Sequence, residues 1–183
     1  VGKSWMAASF VLWRLALDPQ QKIMVNSASG AEAKNFTTFC LQLIRDMPIL
    51  KCLEPQREEQ RSAVHAFDVR QSRPDKSPSV KAVGIFGQVT GSRADLIIPD
   101  DIETPTTSWS VGMREKLLAA VGEYNAILKP GGEVMYLGTP QTEESIYNKL
   151  LLKGFSTRIW PSRYPTKPEK YGESLAPIVA EAP

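Results

Sequence analysis

At 183 residues, 42% hydrophobic and 23% charged, with a formal net charge of +2, the chain has the makeup of a single soluble globular domain. So small a charge does not announce a nucleic-acid or membrane-surface binder, and no apolar run approaches the roughly 18–20 residues that span a bilayer. One histidine and two cysteines without metal-ligand spacing argue against a zinc site or a Ser-His-Asp triad. His65 reads as an ordinary strand or surface residue, and Cys40 and Cys52 as reduced, buried thiols of a cytosolic protein.

In chain order, Ser4 to Leu17 is predicted helical, rich in Ala, Leu, Phe and Trp, and stopped by Asp18-Pro19. KIMVNSAS (22–29) is a buried strand giving way to a loop. GAEAKNFTTFCLQLIRDMP (30–48) places Phe36, Phe39, Cys40, Leu43, Ile44 and Met47 at helical spacing. A polar stretch (54–62), a strand AVHAFDVRQ (63–71), an exposed loop and a strand VKAVGIFGQ (80–88) follow. VTGSR (89–93) is a turn and ADLIIPDD (94–101) a short buried strand ending in acids. Residues 108–128 read as one long helix capped by Ser108 or Ser110, and KPGGE (129–133) as a turn. VMYLGTPQ (134–141) is a strand with its exit loop. TEESIYNKLLLKG (142–154) is a helix capped by Thr142, and FSTRIWP (155–161) a last strand. Alternating strands and helices predict an α/β fold, a mostly parallel central sheet with helices on both faces, over residues 1–160. Residues 161–183 read as a proline-rich tail or the start of a linker. The four tryptophans share no spacing and read as core residues for the most part, with Trp109 exposed.

In such a fold, ligands sit at the carboxyl ends of the strands, and the chemistry-bearing residues map there. Gly2-Lys3-Ser4 matches the end of a GxxxxGK[ST] phosphate loop, whose first glycine is expected upstream of Val1. In that reading Lys3 contacts the β- and γ-phosphates and Ser4 ligates Mg²⁺. Asp100 and Asp101 close a buried strand, with Glu103 two residues on. Nucleotide hydrolysis needs one carboxylate for Mg²⁺ and a second to orient or deprotonate water. The competing reading makes these acids turn or capping residues. Thr139 and Gln141, at a third strand end, are placed to sense a γ-phosphate or position water. Arg93 lies at the opposite end of the acidic strand, either a solvated arginine or a finger presented to a neighbouring subunit. No stretch reads as strongly basic, and DNA binding is not legible from charge.

The segments VGKSW, TGSRADLIIPDDIE, YLGTPQTEESIYNKL and RIWPSRYP, in that order, resemble the ATPase domain of bacteriophage terminase large subunits, in particular the DNA maturases of short-tailed coliphage-like viruses. The resemblance implies an additional-strand (ASCE) P-loop ATPase using ATP and Mg²⁺ in the host cell cytoplasm. It implies double-stranded DNA, a portal protein, a small terminase subunit and further copies in a ring as partners. The ring is expected to be a pentamer on the portal, with the isolated chain a monomer and no membrane involved. Lys3 and Ser4 then match the phosphate loop and Asp100 the Mg²⁺ aspartate. The family often has Glu where this chain has Asp101, which leaves the base between Asp101 and Glu103, with Asp101 preferred. LGTPQ matches the coupling motif, and Arg93 the region of a trans-acting arginine. A nuclease domain is expected only beyond residue 183, and the incomplete loop is expected to hold ATP weakly. A helicase-like ATPase and a non-catalytic assembly module are the alternatives.

Overall fold

A computed structural model of the chain describes residues 2–56, 58 and 60–181. Val1, Arg57 and Glu59 of the polar stretch, and Ala182 and Pro183 lie outside the described residues.

The first helix, α1 (Lys3–Leu17), starts on Gly2, whose φ of 87° only glycine adopts readily. It ends where Pro19 disfavours helical geometry at Asp18. Its inner stripe, Ala7, Ala8, Val11, Leu12 and Leu15, is buried. Strand β1 (Ile23–Ser27) follows, buried at every position, as a central strand covered on both faces must be. Helix α2 (Gly30–Asp46) opens on a reciprocal capping box between Ser29 and Glu32, a device worth about 1 kcal/mol. It stops at Met47-Pro48, and a 3₁₀ turn over Pro48–Leu53 leads out of it.

The predicted strand over 63–71 is instead a tight hairpin, β2 (Ser62–Ala63) and β3 (Ala66–Phe67), with exposed His65 in its turn. Strand β5 (Ala94–Asp100) occupies its predicted place, and β4 (Val80–Gly84) starts where predicted but ends four residues earlier, at the turn after Gly84. The predicted long helix is broken into α3 (Pro105–Ser108), α4 (Val111–Gly122) and α5 (Tyr124–Ile127), and Ser110 caps α4. The predicted KPGGE turn lies inside strand β6 (Leu128–Val134), an edge strand in which Pro130 is tolerated. Its ladder with β5 continues through Met135 and Leu137, whose amides donate to Ile97 and Pro99 carbonyls. Helix α6 (Ile146–Leu152) is capped by Ser145 rather than Thr142, and FSTRIWP contributes an isolated bridge at Ile159, not a strand. A last short helix is α7 (Pro177–Ala180).

The sheet order is β2-β3-β4-β1-β5-β6; the last four strands run parallel and the β2-β3 hairpin is antiparallel. Helices α1 and α2 cover one face, through a core that includes Leu12, Leu15, Phe36, Ile44, Val25 and Ile98. Helices α4, α5 and α6 cover the other, where Leu117, Val121, Ile127 and Ile146 pack on Met24 and Ile97. The expected α/β sheet with helices on both faces is therefore present. No helix among the described residues is long and apolar enough to cross a membrane.

Two expectations fail for a shared reason, that local pattern does not report depth. Cys40 is buried, its thiol pushed up to about 12 by burial, but Cys52 is exposed. Trp109 is 84% exposed, as expected, but Trp5, Trp13 and Trp160 are 62%, 54% and 66% exposed and so are not core residues.

The parallel β1–β4 pair brings the end of β4 against the start of α2. A Cβ on Gly84 would fall 2.8 Å from the backbone nitrogen of Gly30, and neither backbone can yield. Gly84→Ala should cost about 1–3 kcal/mol in urea unfolding; an unchanged midpoint would show that this approach is not tight.

Candidate functional site

Parallel pairing places the carboxyl ends of β1, β5 and β6 side by side. Ser27 is in register with Asp100, and Asp100 bridges to Leu137. Because α1 runs back over the sheet before β1, its first turn arrives at this same edge. Three segments remote in sequence therefore meet. Lys3 Nζ donates to Asp101 Oδ1 at 2.5 Å and to Thr139 Oγ1 at 3.2 Å. Ser4 Oγ donates to Asp100 Oδ2 at 3.2 Å.

The adjacent acids have different surroundings. Asp100 is buried, and its Oδ1 has no hydrogen-bond partner. Burial, reinforced by the charge of Asp101, holds its carboxyl above the ordinary value, against the hydrogen bond from Ser4 and the charge of Lys3. Asp101 is exposed. It is also the one non-glycine residue with positive φ (46°) among the described residues. That conformation costs an L-residue roughly 1–2 kcal/mol, least for Asp and Asn. It ends the strand's alternation and turns the Asp101 carboxylate towards Lys3.

In an extended chain Asp101 and Glu103 would point the same way. The turn at Asp101 separates them. Glu103 is 4% exposed and accepts from Ser145 Oγ at 2.7 Å, Ile146 N at 2.9 Å and Gln141 N at 3.2 Å. Its carboxylate thus fastens the exit of β5 to the turn that starts α6. Gln141 is exposed, with its amide turned onto the Thr139 carbonyl at 3.2 Å. Arg93 sits at the far end of β5, about 20 Å of strand from Asp100, and donates to the Ala126 carbonyl at 2.8 Å. The structure therefore gathers Gly2, Lys3, Ser4, Asp100, Asp101 and Thr139, sets Gln141 beside them, and leaves Arg93 and the Glu103 carboxylate elsewhere.

Two contributors escaped the sequence reading. Glu32 of the α2 capping box adds negative charge near Asp100; the Ser29-x-x-Glu32 spacing carried that signal. Tyr147 packs so closely on Gly138 that a Cβ there would overlap its phenol ring, and its hydroxyl donates to the Leu137 carbonyl at 3.4 Å. Nothing local in LGTPQ foretells that neighbour.

Chemically, the cluster is one cation facing one exposed carboxylate, next to a buried carboxylate paired with a hydroxyl. The orphaned Asp100 Oδ1 and the Ser4 hydroxyl are hard oxygen donors of the kind Mg²⁺ takes. No group of three or more His, Cys, Asp or Glu side chains able to hold a metal occurs among the described residues. Mg²⁺ carried on phosphates needs only one or two carboxylates, so the donor set fits.

Over an alignment of 187 residues the chain is 48% identical to a terminase large subunit of Enterobacteria phage T3. This similarity, which runs along the whole chain, supports a fragment of a terminase large subunit. The match covers 99% of the chain and 32% of that relative, so the chain spans about a third of the relative's length. No family model matches the chain.

Because the folded-state pKa of Asp100 is raised, its ionised form opposes folding as pH climbs through and above the carboxylate range. Below that range both folded and unfolded states are protonated and the penalty vanishes. Asp100→Asn should accordingly melt higher than the parent at neutral pH, with the gain shrinking as pH falls through the raised range of the Asp100 carboxyl and gone below about 4. A gain that grew on acidification would contradict this electrostatic account.

Proposed function

We propose that the chain is the ATP-hydrolysing part of a terminase large subunit, an additional-strand P-loop ATPase that drives double-stranded DNA into a viral procapsid. The observation that carries the reading is the convergence of Lys3, Ser4, Asp100, Asp101 and Thr139 at one sheet edge. These are the side chains a phosphate loop, a metal-binding acid, a water-activating acid and a γ-phosphate sensor require.

In this reading Lys3 holds the β- and γ-phosphates, and Ser4 and Asp100 hold Mg²⁺. When bound, Mg²⁺ neutralises charge on the transferring phosphoryl oxygens. Asp101 orients and deprotonates the attacking water. Its ion pair with Lys3 is partly exposed and contributes at most about 1 kcal/mol. The triphosphate can therefore take Lys3 at small cost, which frees Asp101 for water. Thr139, the second acceptor of Lys3, and Gln141 follow the γ-phosphate. Glu103, with its oxygens already bonded, holds the Gln141 turn rather than acting as base. Arg93, too far to reach its own site, acts on the site of a neighbouring copy in a ring. A portal protein, a small terminase subunit and a pentameric ring in the host cytoplasm complete the proposal.

The test is ATP turnover by a protein extended upstream of Val1 through the whole loop, measured across protein concentration with and without DNA. Lys3→Ala should abolish turnover. Asp101→Asn keeps the backbone preference and should lower kcat at least 100-fold while ATP still binds, as loss of a general base does. Glu103→Gln should lower the melting temperature and reduce kcat less than Asp101→Asn does. Arg93→Ala should remove the part of the rate that rises faster than linearly with concentration. Full activity in Asp101→Asn would refute the assignment of the base, and no ATP binding in the extended parent would refute the phosphate-loop reading.

A further inference from the structure

The chain's modest +2 conceals an uneven distribution. Residues 153–170 hold five of the 22 Lys and Arg and one of the 20 Asp and Glu, so this segment carries +4 and the remainder −2. In sequence the five cations are spaced by prolines and aromatics and form no run. The fold draws three of them together. Ile159 pairs with Leu175, with Ile159 N donating to the Ser174 carbonyl and Ala176 N to the Ile159 carbonyl, so the intervening residues form a closed loop rather than an extended tail. Leu175 and Ala176, at the base of the loop, are buried.

Within the loop is a cavity of about 360 Å³ lined by Arg163, Lys167 and Lys170 together with Tyr164 and Tyr171, and no acidic side chain lines it. The three cations are exposed, and none makes a side-chain hydrogen bond or ion pair among the described residues. By contrast, Lys3, Arg14, Arg61 and Lys129 each have a carboxylate partner. Trp160 and Tyr164, flanking the first cation, are each 66% exposed. Unpaired cations around a concave, acid-free surface, bordered by exposed aromatic rings, fit a phosphate ester whose sugar or base lies against the rings.

We propose that the loop over residues 160–174 is a phosphodiester-binding site that holds the backbone of double-stranded DNA through Arg163, Lys167 and Lys170. The proposal rests on the packaging reading for the identity of its ligand. It assigns DNA contact to a segment apart from the site at Lys3 and Asp101. The contacts are with phosphate, so the loop grips DNA without regard to sequence, as a moving contact must.

The experiment is fluorescence anisotropy of a labelled 30-base-pair duplex titrated with the chain at several salt concentrations. The comparison variant is Arg163→Ala/Lys167→Ala/Lys170→Ala. Each phosphate contact contributes about 0.9 to the slope of log affinity on log salt. The triple variant should therefore lose about 2–3 units of slope, and its affinity at low salt should fall at least tenfold. Lys167→Arg should keep the parent slope, and a Lys34→Ala/Lys51→Ala control outside the loop should change neither quantity. An unaltered thermal melt shows that the triple variant is folded. Equal affinity and slope in parent and triple variant would overturn the proposal. So would calorimetric binding of AMP or inorganic phosphate that the triple variant loses while duplex binding is unchanged, which would make the loop a small-anion site. ATP turnover of the upstream-extended protein without DNA is read in parallel. If turnover is absent while the slope change persists, the ATPase reading fails and the loop stands.

Discussion

The chemistry at this sheet edge depends on β5 being paired in parallel on both sides. Against β1 it sets Asp100 opposite Ser27, and against the extension of β6 it ties Asp100 and Asp101 to Leu137. A strand held by two ladders cannot slip by one residue without exchanging its buried and exposed sets. The hydrophobic registry of Leu96, Ile97 and Ile98 therefore determines where the acids end up. The polar contacts at the edge are individually weak. They receive their geometry from the core on either side of the sheet, which is why residues 98 and 136 positions apart in sequence meet at Lys3.

On that rigid edge a single backbone turn divides labour among three neighbouring acids. Asp100 ends the strand in a buried position suited to a metal. Asp101, at positive φ, leaves the strand plane and faces the lysine in solvent. Glu103 turns the other way, and its carboxylate closes the first turn of α6 and the loop carrying Thr139 and Gln141. In the proposed ATPase, that fastening makes the end of β5 and the LGTPQ loop one mechanical unit. A change in what Asp101 and Thr139 hold would then reach α6 through a buried hydrogen-bonded carboxylate rather than through a flexible link. Gly138 allows Tyr147 of α6 to pack directly under the same loop, which tightens the connection.

In the proposed reading, the loop over residues 160–174 adds a second surface of different physical character. The edge site sets one cation, Lys3, against the Asp101 carboxylate, with the buried Asp100 nearby. The loop over residues 160–174 carries Glu169 and Glu173 as well, but its three cavity-lining cations are exposed and make no ion pair among the described residues. In the proposed reading, a cation already paired with a carboxylate is suited to exchanging partners during a cycle, whereas unpaired cations are suited to holding a polyanion.

Local patterns alone determined much about this protein. Apolar runs and caps located α1, β1, α2, β4 and β5, and the position of two acids at a buried strand's end marked the candidate site. Such features depend on residues a few positions apart, and so they are written in the sequence. The conformation of Asp101, the burial of Glu103, the breaks between α3, α4 and α5, and the exposure of Trp5, Trp13 and Trp160 were decided by tertiary structure. The closure of residues 160–174 was decided in the same way, by Ile159 finding Leu175. Each of these depends on a partner distant along the chain: which oxygen finds which amide, and which face meets the sheet. Periodicity reports that a segment has an apolar face, but only packing decides what that face, or a carboxylate beside it, will meet.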